Sequence, residues 1–125
     1  RFIGVPNIDP LDGEMALKEI DELVTNGPCQ AIILESGIAG MGIGATTNAE
    51  CLTDNDPRIY PIYEKCQNEH IPVLFTCSSL AYPYCDSNIP NHIDQVAHDF
   101  PQLQMVMPWW MALGTVYVWC CSQTR

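Results

Sequence analysis

The sequence is poor in basic residues, and this scarcity excludes two classes of partner. Lysine and arginine total 5 of 125 residues against 15 aspartates and glutamates, so the formal net charge at pH 7 is −10. A surface this acidic repels the phosphates of nucleic acids and the headgroups of anionic lipids. We therefore expect neither nucleic acid nor a membrane surface as a partner.

Long apolar runs are also missing. No stretch reaches the length of about 18 to 20 apolar residues that a membrane-spanning helix needs. Hydrophobic residues nevertheless make up 47% of the chain, which is enough to build a core. A chain of 125 residues fills one domain and is too short for two. The sequence predicts a single domain over residues 1–125.

The chain contains cysteine but has no C-x-x-C motif. Its seven cysteines are an odd number at irregular spacings, which favours neither a zinc ribbon nor a thioredoxin-type site. Most lie in apolar runs, where a free cysteine behaves as a small buried hydrophobic residue. This usage is typical of a reducing compartment, and we predict a cytoplasmic location.

Histidine is scarce, which limits the metal and acid–base sites that the chain can build. The three histidines are His70, His92 and His98. None pairs with another at the i, i+4 spacing that would place two imidazoles on one helix face for zinc. We interpret all three as surface or helix-capping residues.

Strand-like apolar runs alternate with helical patterns along most of the chain. The strand-like runs cover residues 1–8, 29–36, 71–79 and 103–110, and the helical patterns cover 12–27, 56–70 and 91–100. Runs that are apolar throughout, rather than alternating, indicate parallel strands joined by helical crossovers. A last apolar run, residues 110–121, fits either a helix or a strand. This rhythm is typical of a doubly wound sheet or of a (β/α)8 barrel, and a full barrel needs about 250 residues.

Chemistry in such folds takes place at the carboxyl ends of the strands. The acids Asp9 and Glu35 follow two of the strand-like runs and could ligate a metal or act as a base, or could cap the loops that follow. Cys77 could be a nucleophile, but no nearby histidine or aspartate is spaced to activate it, which favours a buried cysteine. Trp109 and Trp110 could line an apolar pocket or pack in the core.

A glycine-rich segment raises the alternative of nucleotide binding. Residues 40–45 read GMGIGA, whereas a dinucleotide-binding fingerprint reads G-x-G-x-x-G directly before a helix. The spacing here is G-x-G-x-G, and about ten loop residues follow before the next helical pattern. A flexible loop is the simpler interpretation, and nucleotide binding stays open as an alternative.

One segment resembles a known family. The run NDPRIYPIYEKCQNEHIPVLFTCSSL, residues 55–80, is similar to the helix and strand of the amidohydrolase-related superfamily. The similarity is to the branch of aminocarboxymuconate-semialdehyde decarboxylase and related aromatic-acid decarboxylases. The similarity continues in Ile93-Asp94, Val96-Ala97, Asp99-Phe100-Pro101, Leu103 and Met105-Val106-Met107, and in the opening RFIGVPNIDPLD. It covers nearly the whole chain.

This resemblance implies a fold and a chemistry. The fold is a (β/α)8 TIM-type barrel, of which the chain would supply about half, around strands three to six. The family's chemistry is hydrolysis or non-oxidative decarboxylation of small carboxylates at a divalent metal such as zinc. The family's ligands are an H-x-H on the first strand, histidines on the fifth and sometimes the sixth, and an aspartate on the eighth.

The sequence departs from that pattern at the positions that bind metal. Thr76 stands where the fifth strand of the family ends in histidine, and Pro108 is followed directly by Trp109 where the next histidine is expected. We therefore carry over no catalytic residue and no metal ligand. If the chain binds a small organic acid, we expect Glu35, Thr76, Cys77 and Trp109 to line the pocket. The competing hypothesis is a non-catalytic module that forms a homo-oligomer or pairs with a complementing barrel half.

Overall fold

A computed structural model describes residues 2–34, 52–75, 90–110 and 116–120 of the chain. The strands are β1 (Asn7–Ile8), β2 (Ile32–Leu34), β3 (Val73–Phe75), β4 (Met105–Trp110) and β5 (Val116–Cys120). The helices are α1 (Glu14–Ile20), which continues as a π-helical turn over Asp21–Thr25, α2 (Tyr60–Asn68) and α3 (Pro90–Asp99). A 3₁₀ turn, Pro10–Asp12, joins β1 to α1. None of the helices in this part of the chain is long and apolar enough to cross a membrane.

The strands form one sheet in the order in which they occur along the chain. The order is β1-β2-β3-β4-β5, and β1 to β4 are parallel to one another. The predicted α/β class, with parallel strands alternating with helices, is therefore confirmed. The last apolar run contains a strand rather than a helix, and β5 pairs with β4 in the antiparallel sense.

Helix α1 forms because its apolar residues recur on one face. Ala16 and Ile20 are fully buried against the sheet, whereas Met15 points to solvent. Gly13 precedes the helix with a φ of 55°, a backbone conformation in which a residue with a Cβ atom is strained. Asp12 lies in the 3₁₀ turn that Asp9 caps.

Helix α2 begins four residues later than the sequence pattern suggests. Pro61 has no backbone N–H and so cannot donate to the carbonyl of Pro57, which delays the regular helix to Tyr60. Asp56 accordingly caps a turn rather than the helix, and its carboxylate accepts from the N–H of Arg58 at 2.9 Å.

The core lies between the sheet and the helices and is centred on aromatic rings. Tyr63 and Phe75 are both fully buried, with ring centroids 5.8 Å apart. Phe100 of the α3–β4 connection packs edge-on against Tyr60 at 5.1 Å and also contacts Tyr63. Rings in these tilted and edge-on arrangements stabilise a core beyond the area that they bury.

Candidate functional site

The first three strands run side by side in the same direction. Ile8 pairs with Leu34, and Leu34 pairs with Phe75. These three neighbouring strands therefore point toward the same edge of the sheet. Parallel α/β folds bind their ligands at this edge, which we call the carboxyl edge.

Asp9 is one acid at the carboxyl edge that the structure describes. It follows β1 directly and is half-buried. Its Oδ1 atom accepts a hydrogen bond of 3.0 Å from the N–H of Leu11 and so caps the 3₁₀ turn. The capping alternative for Asp9 is thus seen directly, and capping an N–H does not exclude a second role for the other carboxylate oxygen.

A second acid at this edge was missed by the sequence interpretation. Asp54 lies in the loop that enters α2 and is only 2% exposed, the one charged residue that is buried among those whose burial the structure describes. Its backbone carbonyl accepts a hydrogen bond of 2.8 Å from the buried hydroxyl of Tyr63. Desolvation raises the pKa of that hydroxyl well above its ordinary value, and the charge of Asp54 adds to the increase. Because buried acids are uncommon, we include Asp54 among the candidate site residues.

Short polar contacts hold the Asp54 loop in place. The guanidinium of Arg58 donates to both carboxylate oxygens of Asp56, at 3.0 and 2.8 Å. These hydrogen bonds lower the pKa of the Asp56 carboxyl. Asn55 donates from Nδ2 to Oε1 of Gln95 at 2.9 Å and so ties the loop to α3.

His92 is the histidine nearest the carboxyl edge. It lies in the first turn of α3, the helix that follows β3, and its side chain is half-buried. The Nδ1 atom is inaccessible to solvent and has no hydrogen-bond partner. We had interpreted His92 as a surface or capping residue, and its buried nitrogen shows that it is not fully at the surface.

The fold has a counterpart among solved structures. An uncharacterised TIM-barrel protein of Bordetella bronchiseptica superposes with a TM-score of 0.62 at 26% sequence identity. The match covers 84% of this chain and 34% of the other, so the chain spans about a third of that protein's length. No protein-family model and no curated protein matches the chain.

The chain has the fold of part of a TIM barrel.

Most residues that the sequence placed in the pocket cannot be located in this barrel segment. Glu35, Thr76 and Cys77 lie outside the described residues. Trp109 belongs to strand β4, and its backbone pairs with that of Tyr117 in β5. Its side chain is not among those that the structure describes. In the sequence, Glu35 directly follows Leu34 and Thr76 directly follows Phe75.

The described side chains do not form a metal centre. Within residues 2–34, 52–75 and 90–107, no three histidine, cysteine, aspartate or glutamate side chains are grouped closely enough to hold an ion. The acids Asp9 and Asp54 and the imidazole of His92 are thus not one ligand set. These residues do not fit the divalent metal that the amidohydrolase resemblance implies.

An open cleft lies at the opposite edge of the barrel segment. Its volume is about 570 Å³, and it is lined by Val24, Thr25, Gln30, Asn68, Glu69, His70 and Ile71. Beside it, Lys65 donates to Asp21 at 2.6 Å and to Glu69, which also accepts from Thr25. Residues at the amino-terminal edge of a barrel stabilise the fold. We therefore infer that these polar contacts around Lys65 stabilise the fold and do not bind a ligand.

Proposed function

We propose that the chain is part of an amidohydrolase-related barrel, with residues 1–125 forming one partial (β/α) domain. The parent chemistry is metal-dependent hydrolysis or non-oxidative decarboxylation of a small carboxylate. The chain itself lacks the histidines of the family and is not assigned that reaction on its own. Its remaining role in this proposal is to form part of the wall of a pocket for a small organic acid.

The observation that carries the proposal is the carboxyl edge. Ile8, Leu34 and Phe75 lie side by side on parallel strands, and the segment 55–75 that carries the family resemblance contains α2 and β3. The residues that follow Leu34 and Phe75 are Glu35, Thr76 and Cys77, three of the four pocket candidates. The fourth is Trp109. The likeness to a TIM-barrel protein supports the same arrangement.

The test restores one missing ligand. We expect Thr76→His to increase the affinity for Zn²⁺ at least tenfold, or about 1.4 kcal/mol, because an imidazole replaces a poor ligand at the family's position. The control is Gln102→His, which adds an imidazole to an exposed turn at the other edge. Isothermal titration of both variants and the parent chain with Zn²⁺ measures the difference. Equal affinities in the two variants would contradict the assignment of Thr76 to a ligand position.

A second function is favoured by the antiparallel strand. All eight strands of a (β/α)8 barrel are parallel, whereas β5 pairs antiparallel with β4. Strand β5 therefore does not continue the parallel order beyond β4. The alternative is a non-catalytic module that assembles through the other edge of the sheet, either as a homo-oligomer or with a complementing barrel half. Sedimentation equilibrium over a range of protein concentrations tests this function, which a strictly monomeric chain would contradict.

The proposed compartment is the reducing cytoplasm. The two cysteines whose side chains the structure describes, Cys29 and Cys66, are both free thiols. Cys66 is fully buried, and desolvation raises the pKa of its thiol to about 12, which suppresses the reactive thiolate. These thiols support the proposal, and location in cells by fluorescence imaging of a tagged chain tests it.

A further inference from the structure

Asn26 ends the π-helical turn over Asp21–Thr25 and is followed by Gly27, which makes the one Asn-Gly pair in the sequence. In such a pair the backbone nitrogen of the glycine can attack the side-chain carbonyl carbon of the asparagine, because glycine has no side chain to shield that nitrogen. Asn26 is exposed, so water reaches the pair. The pair therefore has the reactivity and the access to water that deamidation needs.

The fold requires glycine after Asn26. A Cβ atom at position 27 would lie 2.3 Å from the carbonyl oxygen of Leu23 and 2.5 Å from that of Glu22. Both oxygens belong to the backbone of the π-helical turn, so they cannot move aside unless the turn unwinds. Gly27 thus cannot be exchanged for a residue that would shield its nitrogen.

The N–H of Gly27 is available for the reaction. It makes no hydrogen bond to any residue that the structure describes. The N–H of Asp56, which follows Asn55, donates to a backbone carbonyl at 2.9 Å. The N–H of Glu69, which follows Asn68, does so at 3.0 Å. A nitrogen whose proton is held in a hydrogen bond is harder to deprotonate, so the structure distinguishes Asn26 from these two asparagines.

The closed turn holds the pair in an unreactive geometry. Asn26 has a ψ of −1°, which places the Gly27 nitrogen in line with the backbone nitrogen of Asn26. Closure of a ring onto the side chain requires that nitrogen in line with Cβ instead. Two contacts resist the rotation: Nδ2 of Asn26 donates to the carbonyl of Asp21 at 3.0 Å, and the hydroxyl of Thr25 donates to Glu69 on α2. The reaction therefore waits for local opening of the turn.

We propose that Asn26 is a site of spontaneous deamidation, which changes the end of this turn from closed to open. The Gly27 nitrogen forms a bond to Cγ of Asn26, the Cγ–Nδ2 bond breaks, and ammonia leaves with the proton of the Gly27 N–H. Water then adds to either carbonyl of the cyclic imide and opens it, which leaves aspartate or isoaspartate. Water is the co-reactant, and nothing is oxidised or reduced.

The product cannot close the turn again. A carboxylate has no N–H to donate to the carbonyl of Asp21. Its charge adds to those of Asp21 and Glu22 in the same turn, and to the net charge of −10 of the chain. Isoaspartate also lengthens the main chain by one carbon atom. The site is at the amino-terminal edge, so its modification does not depend on the pocket proposed at the carboxyl edge.

The site is tested by tandem mass spectrometry of peptides from the whole chain after incubation at neutral pH. We expect Asn26 to react first and mainly to form isoaspartate, while Asn55 and Asn68 stay intact. Asn26→Gln should leave this peptide unchanged, because a glutamine side chain would have to close a larger ring. An Asn26 that is still intact when Asn55 or Asn68 has reacted overturns the proposal.

The dependence on opening has a matched pair of variants. Thr25→Val removes the hydroxyl that ties the turn to Glu69, and Thr53→Val makes the same change in the loop before α2. We expect Thr25→Val to deamidate at Asn26 about two- to fivefold faster than the parent chain, which is the effect of losing one exposed hydrogen bond on the open population. Thr53→Val should react at the rate of the parent. Equal rates in the two variants overturn the control of the reaction by the turn.

The change from closed to open is tested without the reaction itself. Asn26→Asp supplies the charge of one product, and Asn68→Asp places the same charge at the exposed end of α2. The readout is the hydrogen exchange rate of the Cys29 N–H, which donates to the carbonyl of Leu23 across the turn at 3.0 Å. We expect faster exchange in Asn26→Asp alone. The same exchange rate in both variants overturns the opening of the turn by the product.

Discussion

Replacing His70 with glycine should stabilise the chain. His70 has a φ of 58°, and it is the one residue other than glycine with a positive φ among those that the structure describes. It directly follows Glu69, the C-cap residue of α2. The N–H of Ile71 donates to the carbonyl of Cys66 at 2.8 Å, and the N–H of His70 donates to the carbonyl of Gln67 at 3.4 Å. This pair of hydrogen bonds is a Schellman motif, in which the left-handed position is usually glycine.

The expected size follows from two opposing contributions. A Cβ atom in the left-handed conformation costs about 1 to 2 kcal/mol. Glycine costs about 0.5 to 1 kcal/mol through the greater freedom of the unfolded chain. His70 is exposed, so removal of its imidazole loses little packing. We expect His70→Gly to raise the free energy of unfolding by about 0.5 to 1 kcal/mol.

The assay is urea unfolding followed by circular dichroism, with His70→Ala as the matched control. Alanine also removes the imidazole but keeps the Cβ atom, so the difference between the two variants isolates the backbone strain. With an m-value of about 1 to 3 kcal/mol/M, the glycine variant should unfold at a urea concentration about 0.2 to 1 M higher. A glycine variant that is no more stable than the alanine variant would refute the assignment of strain to His70.

Two further predictions concern the contacts around α2. Tyr63→Phe should lower the free energy of unfolding by about 1 to 2 kcal/mol, since it removes a buried hydrogen bond to the carbonyl of Asp54. Tyr60→Phe, which removes an exposed hydrogen bond to Asp99, should cost about 0.5 kcal/mol in the same urea assay, and equal losses would contradict the role of burial. Lys65→Met should cost about 0.5 to 1 kcal/mol at pH 7, because it removes ion pairs to Asp21 and Glu69 at the surface. Lys65 holds the pKa of the Glu69 carboxyl below 4.5, so this ion pair stabilises the fold above that pH and is lost as the pH falls through the lowered pKa. Unfolding at pH 3 should therefore show a smaller penalty for Lys65→Met than unfolding at pH 7, and an undiminished penalty would contradict the linkage.

The alternation of strands and helices could be predicted because short segments of the sequence determine it. The runs at 29–36 and 71–79 are apolar throughout, and strands β2 and β3 lie inside them with both ends buried. The start of α2 was harder to predict, because Pro61 delays it through one missing hydrogen bond to the residue four positions earlier. The run at 110–121 could not be assigned because a short apolar run fits a buried helix and a buried strand equally well.

The residues of the candidate site could not be predicted, because their burial depends on contacts between segments that are distant in the sequence. Asp54 sits one residue before Asn55 in a polar loop, and nothing in that loop indicates that its carboxylate is 2% exposed. Its burial results from the packing of the loop against Tyr63, nine residues later. The buried nitrogen of His92 likewise depends on how α3 packs. The only advance signal was position, since both residues follow strands and enter helices at the carboxyl edge.

The order of strands in the sheet has a consequence for how the chain folds. Each strand pairs with the strand that precedes it in the sequence, so no pairing has to wait for a distant segment. Folding can then add one strand and one helix at a time, in the direction in which a ribosome releases the chain. A nascent chain that has released Phe75 already holds every residue of the sheet from β1 to β3, with Tyr63 in place to cover it. Within this part of the chain, the edge that receives the next strand is always the one most recently made.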